Sequence, residues 1–281
     1  MENLVRIEFN KEYFNPAHTL ECGQVFRFKK YEKGYLVFSS NKCAYLYQQE
    51  NKTIIECEKQ HKDYFYNYFD LGKDYSAIYN RAVSQKVEIL TLSANTGKGI
   101  RILNQNIEET LFSFIISQNN NIPRIKSIIE KLSNSLGEEK EFLGVKYKTF
   151  PTAKSLASMP LEFFYEVGLG YRAGYIKGLA EEIEKGLNLN ALKNLETNQL
   201  RKELLKIKGV GPKVADCVLL FAFNKTNSFP VDTWIEKVYK EDFNGKEKIR
   251  EKQSQYFTNR FKEDSGYFQQ YLFHYKRNYL K

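Results

Sequence analysis

Two apolar helical segments meet at a three-residue turn in Leu204-Leu-Lys-Ile-Lys-Gly-Val-Gly-Pro-Lys-Val-Ala-Asp-Cys217. So short a connection leaves the helices no arrangement but a hairpin. Pro212 suits a first-turn position, because its φ is already helical and its missing N–H would be unpaired there anyway. Gly209 and Gly211 are expected to adopt positive φ and to bring the backbone close to something bulky. The turn N–H groups and the helix N-terminus after them then form a site for an anion such as a phosphate. The surrounding charge agrees: Arg201 to Lys213 carries five cations and one Glu, a net of +4.

The whole chain is basic as well, with a net charge of +9 over 281 residues, which is compatible with a polyanionic partner. With 42% hydrophobic and 15% aromatic residues it is a folded chain and not a disordered one. Cys22, Cys43, Cys57 and Cys217 form no C-x-x-C pair. That spacing argues against zinc and against an iron–sulfur cluster, and it suits free thiols in a reducing compartment. The start of the chain has no apolar signal core, and the longest apolar run, Val218 to Phe223, is too short to span a bilayer. We expect a cytoplasmic, nucleoid-associated monomer with no metal, no cofactor and no membrane contact.

From Leu4 to about Cys57 short β-like runs alternate with polar turns: Gln24–Phe28, Gly34–Phe38, Lys42–Tyr47 and Thr53–Cys57. This spacing predicts an antiparallel meander, which needs helices to cover its apolar face. Tyr64 to Thr96 supplies them, with Asp74–Tyr79 and Val83–Ile89 as its periodic parts. From about Arg101 the periodicity becomes helical. Asn106-Ile-Glu-Glu109 reads as a capping box, with Leu111, Phe112, Ile115 and Ile116 as a buried stripe. Helices are expected over Arg172–Lys185, Thr197–Lys206 and Lys213–Phe223. The fold class is α+β: a sheet domain over residues 1–100, then an all-α domain over 101–281 that carries the hairpin at 204–217.

Several stretches are candidates for chemistry. In Ser117-Gln-Asn-Asn-Asn-Ile-Pro-Arg124 the Asn run breaks one helix and Pro123 starts another, so amide side chains sit on a loop tip. Val167-Gly-Leu-Gly-Tyr-Arg-Ala-Gly-Tyr175 is a second Gly-rich turn into a helix. Lys213 and Cys217 share a helix face at i and i+4, while Val214, Val218 and Phe221 face the core. Asp232, in Pro230-Val-Asp-Thr-Trp234, can cap the helix starting at Thr233. Gln269 and Phe273 are again i, i+4 partners able to face one pocket.

Taken together, these stretches resemble the helix-hairpin-helix, Gly/Pro-Asp superfamily of DNA glycosylases. Lys213 follows the hairpin directly, and Pro-Val-Asp closes the motif 19 residues later at Asp232. Within the superfamily the resemblance is to the 8-oxoguanine DNA glycosylase/AP lyases, from about Glu21 to Phe273 and with the motifs in the family's order. It implies a TATA-binding-protein-like sheet domain before the helical one. It also implies that Lys213 is the amine nucleophile and Asp232 the catalytic carboxylate. Gly23, in Gly-Gln-Val-Phe-Arg-Phe28, would offer its carbonyl to N7–H of 8-oxoguanine, a proton that guanine lacks, so one proton decides whether a buried acceptor is satisfied. Cys217 and Phe273 would flank the base and Gln269 would read it. Asn119 would fill the gap, Tyr171 would wedge beside the opposite base, and Arg124 and Arg172 would read the orphaned cytosine. The DNA backbone would lie on Gly209, Gly211 and Val214.

Phe28 stands where the family has Trp, and Trp234 stands where its best-known members have His holding a phosphate. The partner implied is double-stranded DNA containing 8-oxoguanine, flipped out of the stack for excision. Two alternatives remain. A glycosylase for alkylated or other oxidised purines usually lacks the Lys after the hairpin. A non-catalytic helix-hairpin-helix DNA-binding protein needs neither Lys213 nor Asp232 at this spacing. Adenine-mismatch and thymine-glycol enzymes carrying an iron–sulfur cluster are set aside by the cysteine pattern.

Overall fold

Three two-residue turns fold the first sheet. Their leading residues, Glu32, Ser40 and Glu50, all have positive φ, which suits tight hairpins. In the computed structural model, which describes residues 3–279, these turns join β2 (Phe28–Tyr31), β3 (Gly34–Ser39), β4 (Lys42–Gln49) and β5 (Lys52–Glu58). β1 (Leu4–Asn10) adds to the far side of β5, giving the antiparallel order β1-β5-β4-β3-β2. Met1 and Glu2, and Leu280 and Lys281 of the basic end, lie outside the described residues.

The run expected as a strand at Gln24–Phe28 becomes one only at Phe28. Gln24 is the reason. Its buried amide donates to Thr19 O (2.9 Å) and Arg101 O (2.7 Å), and its Oε1 accepts from Leu103 N (2.9 Å). Gln24 is thereby tied to the link between the two cores, and the segment meets the sheet edge only from Arg27, whose carbonyl accepts from Phe38 N (3.0 Å).

The helices are α1 (Pro16–Glu21), α2 (Lys62–Tyr68), α3 (Tyr75–Ser84), α4 (Glu88–Thr96), α5 (Ile107–Ile116) and α6 (Ile122–Leu136), followed by β6 (Glu139–Phe142) and β7 (Val145–Lys148). Then come α7 (Ala153–Ala157), α8 (Leu161–Val167), α9 (Ala173–Glu184), α10 (Thr197–Lys206), α11 (Pro212–Phe221), α12 (Thr233–Glu241), α13 (Arg250–Phe261) and α14 (Ser265–Tyr279).

One sheet face buries Val37, Leu46 and Ile55 against Leu20 of α1 and Phe65 and Tyr68 of α2. The other buries Leu36, Tyr45 and Ile54 with Phe142 of the β6–β7 hairpin. That hairpin is an addition to the expected all-helical second half. It turns at Leu143-Gly144, both at positive φ. α3 and α4, expected as cover for the sheet, pack instead in the larger helical core around α5 and α11, and α14 lies against α4.

Arg101 joins the two cores. Fully buried, it donates from Nε to Phe69 O (2.7 Å), from Nη1 to Tyr13 O (3.1 Å) and from Nη2 to Asp70 O and Lys73 O, with its guanidinium 3.9 Å from the Tyr75 ring centre. The capping box at α5 is only half formed. Asn106 accepts from Glu109 N (3.0 Å), but the Glu109 carboxylate accepts from Ser40 N and pairs with Arg27 (3.4 Å). A buried cation one domain away competes successfully for that carboxylate.

Candidate active site

α11 is buried on nearly all sides, so its first turn is fixed firmly. It presents Lys213 and, one turn on, Cys217 to a cavity that Gly23, Asp232, Gln269 and Phe273 also line. The Lys213 ammonium lies 5.1 Å from the Phe114 ring centre, a cation–π contact. Phe114 is itself stacked on Phe221, with centroids 5.6 Å apart. Burial pushes the Cys217 thiol up to about 11, with nearby Lys213 drawing it partly back. At neutral pH Cys217 of the free protein is therefore a thiol, not a thiolate.

Asp232 begins α12. Its Oδ1 accepts from Trp234 N and Ile235 N, each at 3.0 Å, and this cap fixes the carboxylate at the cavity edge. Trp234 is partly buried, with the Lys237 ammonium 4.9 Å from its ring.

Gln269 and Phe273 come from α14. The Gln269 amide nitrogen donates to Pro230 O (3.2 Å), while its Oε1 is buried with no partner. An orphaned buried acceptor costs about 1–3 kcal/mol, which points to a ligand that donates to it. Gly23 has φ +85°, and a Cβ there would come 3.3 Å from the Phe273 ring. Gln270, which sequence reasoning passed over for its neighbour, donates to Cys22 O (2.8 Å) and fixes the peptide entering Gly23. The cavity is small, about 50 Å³, which is room for a few waters and not for a purine.

A second group gathers at one end of α5. Asn119, at φ +46°, donates to the Tyr171 hydroxyl (3.1 Å), and Tyr171 is 53% exposed, free to meet a partner. Arg124 is exposed on the first turn of α6, with Nη2 3.4 Å from Gly168 O. Arg172 is different. It is buried, and its guanidinium donates to Gln118 O (2.8 Å from Nε), Leu169 O (3.2 Å) and Asn119 O (3.1 Å). In this state its donors hold the Asn loop.

The hairpin forms as expected over α10 and α11, but its two glycines differ. Gly209 has φ +89°, and its Cβ position falls 2.5 Å from Cγ of Tyr175. Gly211, at φ −88° and ψ 175°, is ordinary extended backbone with open space around it. Its expected positive φ is therefore corrected, because one left-handed residue suffices to turn the chain here. Gly211 caps α11, whose first bonded N–H is that of Ala215, to Gly211 O (2.9 Å). The Lys213 and Val214 N–H groups stay free of intrahelical partners, while the Val214 side chain is in the core. Gln118, which no motif marked, joins this turn to the Asn loop by donating to Gly209 O (2.8 Å).

Residues 6–111 match the 8-oxoguanine DNA glycosylase N-terminal domain family, and residues 112–263 match the HhH-GPD superfamily of base excision DNA repair proteins. The chain belongs to the 8-oxoguanine DNA glycosylases of the HhH-GPD superfamily. The N-glycosylase/DNA lyase of Saccharomyces cerevisiae is 31% identical over 268 residues, covering 85% of this chain and 70% of that protein. The Clostridium acetobutylicum 8-oxoguanine glycosylase/lyase, solved with double-stranded DNA containing cytosine opposite 8-oxoguanine, is 35% identical, with 99% of each chain covered and a TM-score of 0.90. MBOgg1, solved with a low-affinity DNA ligand, is 36% identical, covering 99% of this chain and 97% of that one with a TM-score of 0.93. The likeness to both structures runs over the sheet and the helical half alike. Among the described residues no cluster of His, Cys, Asp and Glu could hold a metal ion, and no helix is long and apolar enough to cross a membrane.

Proposed function

We propose that the chain excises 8-oxoguanine opposite cytosine from duplex DNA and then nicks the emptied strand, acting as a monomer on cytoplasmic, nucleoid DNA. Family membership makes it a base-excision repair N-glycosylase with DNA lyase activity. The observation that carries the finer reading is the cavity. Four separate segments bring Gly23, Lys213 with Cys217, Asp232, and Gln269 with Phe273 to one place, and the Gln269 Oε1 there has no partner.

In this reading residues 1–100 supply the Gly23 wall and residues 101–281 the catalytic groups. The lesion flips out of the stack. Because the resting cavity is too small for it, Phe273, only partly buried, swings to admit it. Gly23 O accepts from N7–H, and Gln269 Oε1 accepts from a donor on the base edge. The N-glycosidic bond breaks with positive charge gathering at C1′, which the Asp232 carboxylate stabilises. Lys213 gives up its ammonium proton to water and adds to C1′ as the neutral amine, and the base leaves with the bonding electrons and takes up the proton that the new secondary ammonium sheds. The sugar ring opens to a Schiff base, which acidifies C2′–H. Loss of that proton expels the 3′ phosphate by β-elimination. Meanwhile Asn119 and Tyr171 occupy the gap, Arg124 faces the cytosine, Arg172 joins it once a donor leaves the Asn loop, and Gly209, Gly211 and Val214 hold the backbone without reading sequence.

Borohydride trapping on duplex containing 8-oxoguanine opposite cytosine tests the chemistry. Wild type is expected to form a covalent adduct, and Lys213→Gln to lose it together with at least about a thousandfold in excision rate. An undiminished adduct in Lys213→Gln would overturn the assignment.

A further inference from the structure

A cavity of about 470 Å³, larger than the one just described, opens between the β2–β3 edge of the sheet, one face of α6, and β7. A volume of this size falls in the range of small-ligand sites. α6 lines it with Lys126, Ile129, Glu130, Ser133 and Asn134, the i, i+3, i+4 spacing of a single helix face. Phe28, Phe38 and Tyr147 are its aromatic walls. A neighbouring cavity of about 360 Å³ shares Phe28, Lys30 and Lys126 with it and reaches Gly23 and Arg277. The two form one trough that starts on the outer side of the Gly23 wall and runs along α6.

The cations of this trough are not equivalent. Arg27 is committed to Ser40 O, Glu109 and Lys148 O. Lys146 and Lys148 both reach Glu139, at 2.9 and 3.6 Å. Lys126 is different, with its ammonium 3.7 Å from the Phe28 ring centre, and Lys29 lies 5.8 Å from that of Phe38. Among the described residues neither has an ion-pair partner within 4 Å, and burial lowers the Lys126 pKa against the opposing pull of Glu21 and Glu130, so an anion in contact with the ammonium would add charge stabilisation there. Each end of the trough also holds an orphaned polar atom. The Ser133 hydroxyl, in a residue 4% exposed, has no partner, and neither has the buried Nη1 of Arg277. Buried groups of this kind ordinarily have one.

We propose that this trough is a nucleotide-binding site separate from the lesion pocket. The phosphate pairs with the Lys126 ammonium, the base lies along the aromatic walls of the trough, and the Ser133 hydroxyl bonds the ligand where no protein group does. Glu130 gives an acceptor for a base amino group, which favours a purine. The same chemistry is offered by a free nucleoside monophosphate and by a nucleotide within a single strand.

Calorimetric titration of the full chain with dGMP, and separately with a short single-stranded oligodeoxyadenylate, tests the proposal. Binding is expected to weaken about tenfold in Lys126→Gln, the loss of one charge-assisted contact, and to recover in Lys126→Arg. It is expected to be unchanged in Lys213→Gln, which disables the lesion pocket. Binding of dGMP assigns the site to free nucleotide, and binding of the oligonucleotide alone assigns it to a strand. No binding of either at millimolar concentration overturns the proposal. So does unaltered binding in Lys126→Gln, or an equal loss in Lys213→Gln, which would place the nucleotide in the lesion pocket. Thermal melts of each variant separate lost binding from lost folding.

Discussion

The two glycines of the hairpin give a paired test of what holds this turn and what it holds. Gly209 sits at φ +89° with its Cβ position 2.5 Å from Cγ, 2.7 Å from Cβ and 2.8 Å from Cδ2 of Tyr175. In Gly209→Ala the left-handed backbone costs about 1–2 kcal/mol, and the added methyl overpacks against α9 for about 1–3 kcal/mol more. We expect a loss of about 2–5 kcal/mol, at roughly 2–4 °C in Tm per kcal/mol for a domain this large. Gly211→Ala is expected to behave in the opposite way. Its backbone is extended and nothing lies within 4 Å of the new methyl, so stability stays level or rises by about 0.4–1 kcal/mol, since alanine restricts the unfolded chain. The methyl would stand beside the free N–H groups that begin α11, and binding to undamaged duplex should fall about tenfold, the worth of one good phosphate contact. Urea unfolding followed by circular dichroism reads the first quantity. Fluorescence anisotropy at one fixed salt concentration reads the second, because such affinity varies steeply with salt. Equal stability in the two variants would refute the division of labour. Wild-type duplex affinity in Gly211→Ala would refute the phosphate site.

Arg101→Leu leaves four carbonyls without their donor and should cost more than about 3 kcal/mol in urea unfolding; a loss below about 1 kcal/mol would show that the two cores do not depend on it. His274 is buried beside His18 and Arg277, and burial first, then those charges, lower its pKa from 6.5 to about 4. Between those values the unfolded chain binds the extra proton, so stability should fall as pH drops from 6.5 toward 4; His274→Gln should flatten that slope by at most about 1.4 kcal/mol per pH unit, and an identical slope would exclude His274 as its source. Arg124→Ala should reduce the preference for cytosine opposite the lesion in single-turnover excision, and unchanged ratios across the four opposite bases would refute its role as a reader.

Strand and helix positions were legible where one period dominates. Thr197–Lys206 is helical over the expected span, because its apolar stripe and its Gly stop agree. Legibility failed where a side chain bonds across the fold. Nothing local to Gln24 shows that its amide will be claimed by Thr19 and Arg101, yet that claim removes its segment from the sheet. The Glu109 half of the capping box is lost to Arg27 and Ser40 for the same reason. The β6–β7 hairpin did carry a local signal, Leu143-Gly144 between short alternating runs, which the helical pattern on either side obscured. The candidate site was legible because its residue types are unusual at their spacing: a Lys after a Gly turn, a Pro-Val-Asp, a Gln with a Phe one turn on.

What the motifs could not show is how the three segments proposed to face DNA come to act as one. Gln118 donates to Gly209 O at 2.8 Å, so the Asn loop is bonded to the hairpin turn. The Gln118 carbonyl in turn accepts from Arg172 Nε at 2.8 Å, so the same loop is bonded to the Gly-rich turn. The Asn119 amide closes the ring on the Tyr171 hydroxyl at 3.1 Å. A displacement of the hairpin by a bound phosphate must therefore strain the Gln118 bonds or move Asn119, Tyr171 and Arg172 with it. The hairpin turn, the Asn loop and the Gly-rich turn are thus mechanically one unit. Its joint is a glutamine whose importance lies in where its amide reaches, a property of the folded chain and not of any spacing along it.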